Sequence, residues 1–283
     1  MIVDGKKIAN DLKELLRRTL KENKVVPKMA IVIVGENPVI EKFVEIKKRF
    51  GADIGIEVVE HRLPADTSQD ELEGLVRDCA THPEYAGIVV QLPLPESIDT
   101  RLVLGCIPLE KDVDMLSIEA MAAMRRGDAV IMAPVVGAID EICRRETIEI
   151  AKKDVLILGA GRLVGAPAEM WFRHRGARVT TLEKPVRDLA MFTKDADIIV
   201  SGTGKSGILQ PELLKDGVIL FDAGTSKVGG KIVGDADPSC AEKCALFTPV
   251  PGGIGPITVA ILFRNVVLLS NKKIFEVESI ERG

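Results

Sequence analysis

Along the first ninety residues, the spacing of apolar positions switches repeatedly between a helical period and that of a buried strand. Ile8, Leu12, Leu15, Leu16 and Leu20 recur at helical spacing and predict a helix over 7–23. Ala30–Val34 is an unbroken apolar run closed by Gly35, the pattern of a strand buried on both faces. A helix is expected over 39–50, a strand over 54–63, a helix over 69–81 and a strand over 86–92, stopped by Pro93 and Pro95. From 115 to 150 the pattern changes to longer, mixed helices, read as an interdomain connection. A second series follows, with strands at 155–158, 178–182, 197–201, 218–222 and 245–247. Strands alternating with helices of this length predict an α/β fold: two α/β domains with mostly parallel sheets. The expected boundaries are 1–120 joined by a C-terminal helix over 257–283, a helical connection over 121–150, and a second domain over 151–256. No repeat at a solenoid period and no low-complexity tract interrupts this organisation.

Composition narrows the possibilities. A chain of 283 residues with 46% apolar content can bury two cores of ordinary size. The net charge is −4 and no basic block dominates any segment, which argues against nucleic-acid binding through phosphates. The five cysteines are an odd number without CxxC spacing, so neither a disulfide framework nor a metal site is expected. The start, Met-Ile-Val-Asp-Gly-Lys-Lys, has no apolar core of a signal segment, and no apolar run approaches the length of a membrane span. A soluble cytoplasmic protein with no membrane partner is the expectation.

Two glycine-rich loops carry candidate chemistry. Leu156–Pro167 places Gly159, Gly161 and Gly165 directly after a predicted strand and at the start of a predicted helix. Glycines there let the backbone turn tightly and let a pyrophosphate approach the helix N-terminus, with Arg162 and Leu163 in the same turn. This makes the second domain Rossmann-like. The next strand ends at Glu183, 22 residues beyond Gly161, where an acidic side chain accepts from ribose hydroxyls. A carboxylate repels a 2′-phosphate, so of NAD and NADP, NAD is favoured. Lys184 and Arg187 stand close by, and a solvated loop charge is the alternative reading of Glu183. A further loop, Gly202-Thr203-Gly204-Lys205, follows the strand over 197–201.

The second glycine-rich loop, Thr248–Thr258, holds three prolines and three glycines in eleven residues, so it reads as a shaped loop. The apolar, helix-compatible stretch from Val259 to Leu269 follows, so the loop opens onto a helix N-terminus with exposed N–H groups. This string resembles the PVPGGVGPMT signature of the methylenetetrahydrofolate dehydrogenase/cyclohydrolase family. The resemblance implies that Pro251 and Gly252 face the substrate and that Gly253 and Gly255 face the cofactor.

Other segments extend the resemblance in family order from Asp4-Gly5 to Asn265. Val34–Lys47 is similar to VGxxPxSxxYVxxK, with Phe43 in place of tyrosine and Ile40 in place of serine. Val90–Pro95 matches VQLPLP, and Lys111–Asp114 matches KDVD, followed by Met115 where the family has glycine. Gly159–Pro167 is similar to GRSxxVGxP, with Ala160 and Gly161 in the arginine and serine positions. Met132-Ala-Pro134-Val stands where PCTP is usual. Gly202–Lys205 resembles AxGxP, Asp222-Ala-Gly224 resembles DVG, and Gly234–Asp237 matches GDVD.

The resemblance implies catalytic roles for Lys47, Gln91 and Asp114. A lysine beside an apolar pocket has a lowered pKa and can move protons near neutrality. A carboxylate can accept from the guanidine-like edge of a pterin, which is the role implied for Asp114. For Asp112, a solvated loop charge stands as the alternative. Phe43 can stack on a flat ring but cannot hydrogen-bond a reacting water. Lys48 is expected to point elsewhere into solvent. The implied activity is oxidation of 5,10-methylenetetrahydrofolate to the methenyl form with NAD(P), then hydrolysis to 10-formyltetrahydrofolate, by a homodimer. A dehydrogenase lacking the cyclohydrolase step, or a non-catalytic folate- or nucleotide-binding paralogue, are the alternatives. Losing the arginine at position 160 removes a cation suited to a 2′-phosphate and again favours NAD.

Overall fold

The computed structural model describes residues 1–271, so the part of the expected C-terminal helix beyond Asn271 lies outside the described residues. The described chain folds into two compact units. One comprises Asn10–Ala133 and the segment from Val259 onward, and the other comprises Met1–Ala9 and Pro134–Thr258. In chain order the elements are α1 (Gly5–Asn23), β1 (Lys28–Val34), α2 (Pro38–Ile54), β2 (Glu57–Leu63), α3 (Gln69–Thr81), β3 (Tyr85–Val90), α4 (Thr100–Gly105) and α5 (Ile118–Arg126). They continue with α6 (Pro134–Arg145), β4 (Asp154–Leu158), α7 (Gly165–His174), β5 (Arg178–Leu182), α8 (Ala190–Thr193), β6 (Ile198–Ser201) and β7 (Val218–Asp222). The last are β8 (Ser226–Val228), β9 (Lys231–Val233), β10 (Cys244–Thr248) and α9 (Ile254–Ser270).

The first unit is built on a parallel three-stranded sheet in the order β2-β1-β3. The unbroken apolar run of β1 takes the central position, with Met29 to Ile33 at most 1% exposed. Helix α2 begins at Asn37, whose side chain accepts from Val39 N at 2.9 Å, and Pro38 occupies the first helical turn, where no donor is lost. It ends at Gly55, whose φ of +88° is the left-handed geometry that stops a helix. The helix therefore runs through Ile54, and the strand expected from 54 begins only at Glu57.

The second unit holds a parallel five-stranded sheet, β10-β7-β6-β4-β5, and a small antiparallel hairpin, β8-β9. The strand order reverses between β4 and β6, the position where open α/β sheets bind ligands beyond their strand ends. Residues 1–9 and 134–150 cluster with this unit, although the sequence pattern placed them in the first domain and in a connection. The cause is local bonding: Val3 N donates to Phe247 O and Phe247 N to Met1 O, each at 2.9 Å, laying the chain start along β10. Arg175 after α7 donates to Asp140 on α6 at 3.1 Å. No helix among the described residues is long and apolar enough to cross a membrane.

Candidate functional site

In the first unit, Lys47 projects from α2 and Gln91 lies just past the C-terminal end of β3. Gln91 N continues the ladder by donating to Val32 O at 2.9 Å, and its side-chain amide donates to Leu92 O at 3.2 Å. This fixes the carbonyl end of the amide, Oε1, as an acceptor for Lys47 Nζ at 2.7 Å. Burial pushes the Lys47 ammonium below its ordinary range, while the nearby Asp114 carboxylate pulls in the opposite direction. Burial likewise pushes Asp114 up to about 6, against the attraction of Lys47 and reinforced by Asp112. Lys47, Gln91 and Asp114 are therefore brought together, with an acid and a base both displaced toward neutrality. Phe43 lies one helical turn before Lys47 and is 38% exposed, so its ring is available to a flat ligand. Lys48 is held by Glu60 at 2.6 Å in a surface ion pair, so it is not simply a solvated charge.

The loop that carries Asp114 is pinned from both sides. Asp112 is fully buried and its two carboxylate oxygens accept from Leu116 N at 3.2 Å and Ser117 N at 2.7 Å. A solvated role for Asp112 is thereby excluded, because its carboxylate closes the turn. Asn265 on α9 donates through Nδ2 to Val113 O at 2.9 Å and Met132 O at 2.8 Å. Met115, which the family pattern has as glycine, adopts a φ of +58° and is 1% exposed. Left-handed backbone costs a non-glycine residue about 1 kcal/mol, so the loop is held in this shape by its contacts. Asn265 was legible in the sequence only as the last matching position, without a role.

In the second unit the glycine-rich turn after β4 explains two of its glycines sterically. A Cβ on Gly159, at φ +88°, would stand 2.9 Å from Gly202 O, and one on Gly165 would overlap the carbonyl of Gly159. Gly202 is equally constrained, since its Cβ would lie 2.5 Å from Val164 Cγ1. The backbones after β4 and β6 thus touch at the switch point and leave a floor of bare main chain. Gly161 differs: no heavy atom lies within 4 Å of a Cβ placed there, so space and not crowding surrounds it. Helix α7 opens at Gly165 without a side-chain cap. Ala166 N donates to Gly161 O at 3.1 Å and Pro167 has no N–H, which leaves the Gly165 N–H in the first turn for another acceptor. Leu163 is 51% exposed, Arg162 is half-buried, and Glu183 and Lys184 are exposed directly beyond β5.

The proline–glycine segment begins as β10 ends at Thr248. Helix α9 starts at Ile254, so Gly255 and Pro256 belong to its first turn, earlier than the sequence pattern placed the helix. Gly253 N donates to Pro249 O at 2.7 Å, and a Cβ on Gly253 would lie 2.6 Å from that oxygen. Gly5 N in turn donates to Gly252 O at 2.9 Å, so α1 starts against this turn. Gly253 is buried and Pro251 and Gly255 are exposed, which separates a turn-forming residue from two surface ones.

These features define a two-unit α/β protein with a parallel nucleotide-binding type of sheet and a lysine–glutamine–aspartate cluster on a second parallel sheet. Residues 3–114 match the catalytic domain of tetrahydrofolate dehydrogenase/cyclohydrolase, and residues 133–274 match the NAD(P)-binding domain of tetrahydrofolate dehydrogenase/cyclohydrolase. The chain belongs to this family. The bifunctional protein FolD of Moorella thermoacetica is 37% identical over 271 residues, covering 94% of this chain and 97% of that protein. Among solved structures, the bifunctional enzyme FolD of Campylobacter jejuni superposes with a TM-score of 0.92 at 31% identity, covering 96% of this chain and 99% of that one. The Trypanosoma brucei FolD, complexed with NADP cofactor and inhibitor, gives a TM-score of 0.90 at 30% identity, covering 97% of this chain and 98% of that one.

Proposed function

We propose that the protein oxidises 5,10-methylenetetrahydrofolate to 5,10-methenyltetrahydrofolate and hydrolyses that product to 10-formyltetrahydrofolate. The observation that carries this reading is the 2.7 Å Lys47–Gln91 hydrogen bond beside an Asp114 pushed up to about 6. The unit containing these residues serves as the folate-binding domain, and the unit with the five-stranded sheet as the dinucleotide-binding domain. NAD(P) supplies the hydride acceptor. Gly159, Gly165 and Gly202 let the backbones after β4 and β6 close on one another, and the open space at Gly161 beside the start of α7 fits a pyrophosphate.

On the folate side, Asp114 accepts from the N–C–N edge of the pterin and Phe43 stacks on the flat part of the substrate. Lys47 spends one hydrogen on Gln91, and its lowered pKa lets it exchange a proton with substrate or water near neutrality. In the hydrolytic step a water oxygen bonds to the methenyl carbon and the bond from that carbon to N5 breaks. N5 takes one proton and one is released, and Lys47 is the group that holds the moving proton.

NAD is the favoured cofactor. Glu183 is exposed at the end of β5, and alanine at position 160 removes a 2′-phosphate cation. A homodimer follows from the family resemblance. Cytoplasmic location is supported by five unpaired cysteines. The test is turnover of methylenetetrahydrofolate with NAD and NADP at matched concentrations, following nicotinamide reduction and methenyl absorbance together. Reduction with NAD and decay of the methenyl band are expected. No reduction with either dinucleotide removes the dehydrogenase reading, and a persistent methenyl band removes the hydrolytic one.

A further inference from the structure

Two buried carboxylates, Asp222 and Asp235, sit at the C-terminal ends of β7 and β6 in the unit with the five-stranded sheet. Asp235 is completely buried and both of its carboxylate oxygens accept hydrogen bonds. Its Oδ2 accepts from Ser201 Oγ at 2.6 Å, Thr203 N at 2.7 Å and Thr203 Oγ1 at 2.9 Å, and its Oδ1 accepts from Lys205 N at 2.9 Å. Asp222, 1% exposed, accepts from Gly224 N at 2.9 Å, Asp235 N at 3.2 Å and Ala236 N at 2.8 Å. The backbone N–H of Asp222 donates to Thr248 Oγ1 at 2.7 Å, the last residue before the proline–glycine turn. Glycines make the room: a Cβ on Gly224 would overlap the Asp235 carboxylate, and one on Gly234 would overlap that of Asp222.

A carboxylate enclosed by four donors is a fastening point, because each donor belongs to a segment that the others must then follow. Asp235 ties the end of β6 to both amides of the loop at 203 and 205. Asp222 ties Asp235 to the turn after β7 and, through Thr248, to the end of β10. These loops all leave the edge of the sheet at which open α/β folds bind ligands, and Gly202 touches Gly159 at the switch point.

We infer that Asp235, braced by Asp222, is a positioning residue that fixes the Gly202–Lys205 loop in the shape required to receive the dinucleotide. The inference rests on the dinucleotide reading proposed above. Asp235 touches neither cofactor nor substrate; it acts through Thr203 and Lys205. The feature is invisible to a motif search for glycines, since the responsible side chain arrives from 30 or more residues downstream.

The experiment is Asp235→Asn in the full chain, which conserves volume but leaves one donor facing a donor. In the ligand-free protein, hydrogen exchange at the Thr203 and Lys205 amides should accelerate while the β6 amides stay protected. The dissociation constants for NAD and NADP should rise about tenfold, with the KM for methylenetetrahydrofolate within about twofold of the wild type. Should Asp235→Asn fail to fold, Ser201→Ala removes a single donor, with an expected loss of protection at Thr203 and about threefold weaker dinucleotide binding. Wild-type protein that binds neither NAD nor NADP sinks the dinucleotide reading itself. Wild-type protein that binds, with unchanged affinity and unchanged amide protection in the variant, overturns the positioning role alone.

Discussion

Replacing Lys47 with methionine tests the chemistry at its centre. Methionine keeps the length and most of the volume of the side chain while deleting its charge and its 2.7 Å bond to Gln91. The fold should tolerate this. A hydrogen bond from a charged donor is worth about 1.5–3 kcal/mol, but the variant also escapes the cost of burying an ammonium, so net stability should move by about 1 kcal/mol or less. Catalysis should not tolerate it. Positioned acid–base groups contribute about 10²–10⁴ in rate, or about 3–5 kcal/mol, and Phe43 has no hydroxyl with which to replace the lysine. Asp114 would also lose the cation that opposes its burial, so its titration should move upward from about 6. The acid limb of kcat/KM for methylenetetrahydrofolate should then shift to higher pH by about one unit. Decay of added methenyltetrahydrofolate, corrected for its spontaneous hydrolysis, measures the hydrolytic step, and dinucleotide affinity serves as the control. Hydrolysis within about threefold of the wild type would refute the assignment of Lys47, since a general acid–base group cannot be dispensable.

Three other outcomes follow from particular residues. Phe43→Tyr restores a hydroxyl one turn from Lys47 and should accelerate methenyl hydrolysis by about three- to tenfold with little change in hydride transfer; equal acceleration of both steps would point to stacking instead. Glu183→Ser should raise kcat/KM with NADP relative to NAD by about tenfold, because removing the carboxylate relieves repulsion of a 2′-phosphate; an unchanged ratio in steady-state assays would place Glu183 outside the ribose site. Asp222 titrates at about 6 in the folded protein against an ordinary value of 3.8, because burial disfavours its charge. Its folded pKa is raised, so its stabilising contribution is full below about 3.8 and is lost as pH rises through about 6, a change of about 3 kcal/mol. Denaturant unfolding of wild type and Asp222→Asn across this window should show that slope in the wild type alone, and parallel curves would contradict it.

Much of the architecture was legible because strand and helix differ in apolar period. The strands over 178–182 and 218–222 and the helix over 69–81 fall where the pattern placed them. Errors arose where local geometry overrides period. Ile54 is apolar like its strand-forming neighbours, but Gly55 at φ +88° ends α2 only after it. The β8-β9 hairpin has strands of three residues each, exposed and lysine-bearing around Gly229-Gly230, too short for any alternation to register. Lys47, Gln91 and Asp114 were legible with their roles through motifs, whereas Asp112, Asp222, Asp235 and Asn265 were legible only as matched positions without the bonding roles that the structure gives them. Asp112 bonds to backbone groups four and five residues on and Asp222 to Gly224, but Asn265, Asp235 and the other bonds of Asp222 reach backbone groups brought near only by folding. Gly161 stands in open space, in keeping with a glycine that lets a ligand approach the backbone.

The most direct measurement follows methylenetetrahydrofolate carrying two deuterium atoms on its methylene carbon, turned over with NAD and analysed by mass spectrometry. The dehydrogenase–cyclohydrolase reading predicts one deuterium in the reduced nicotinamide and the other in the formyl group of 10-formyltetrahydrofolate. Reduced nicotinamide without label, or a folate product that keeps both deuterium atoms, would contradict it.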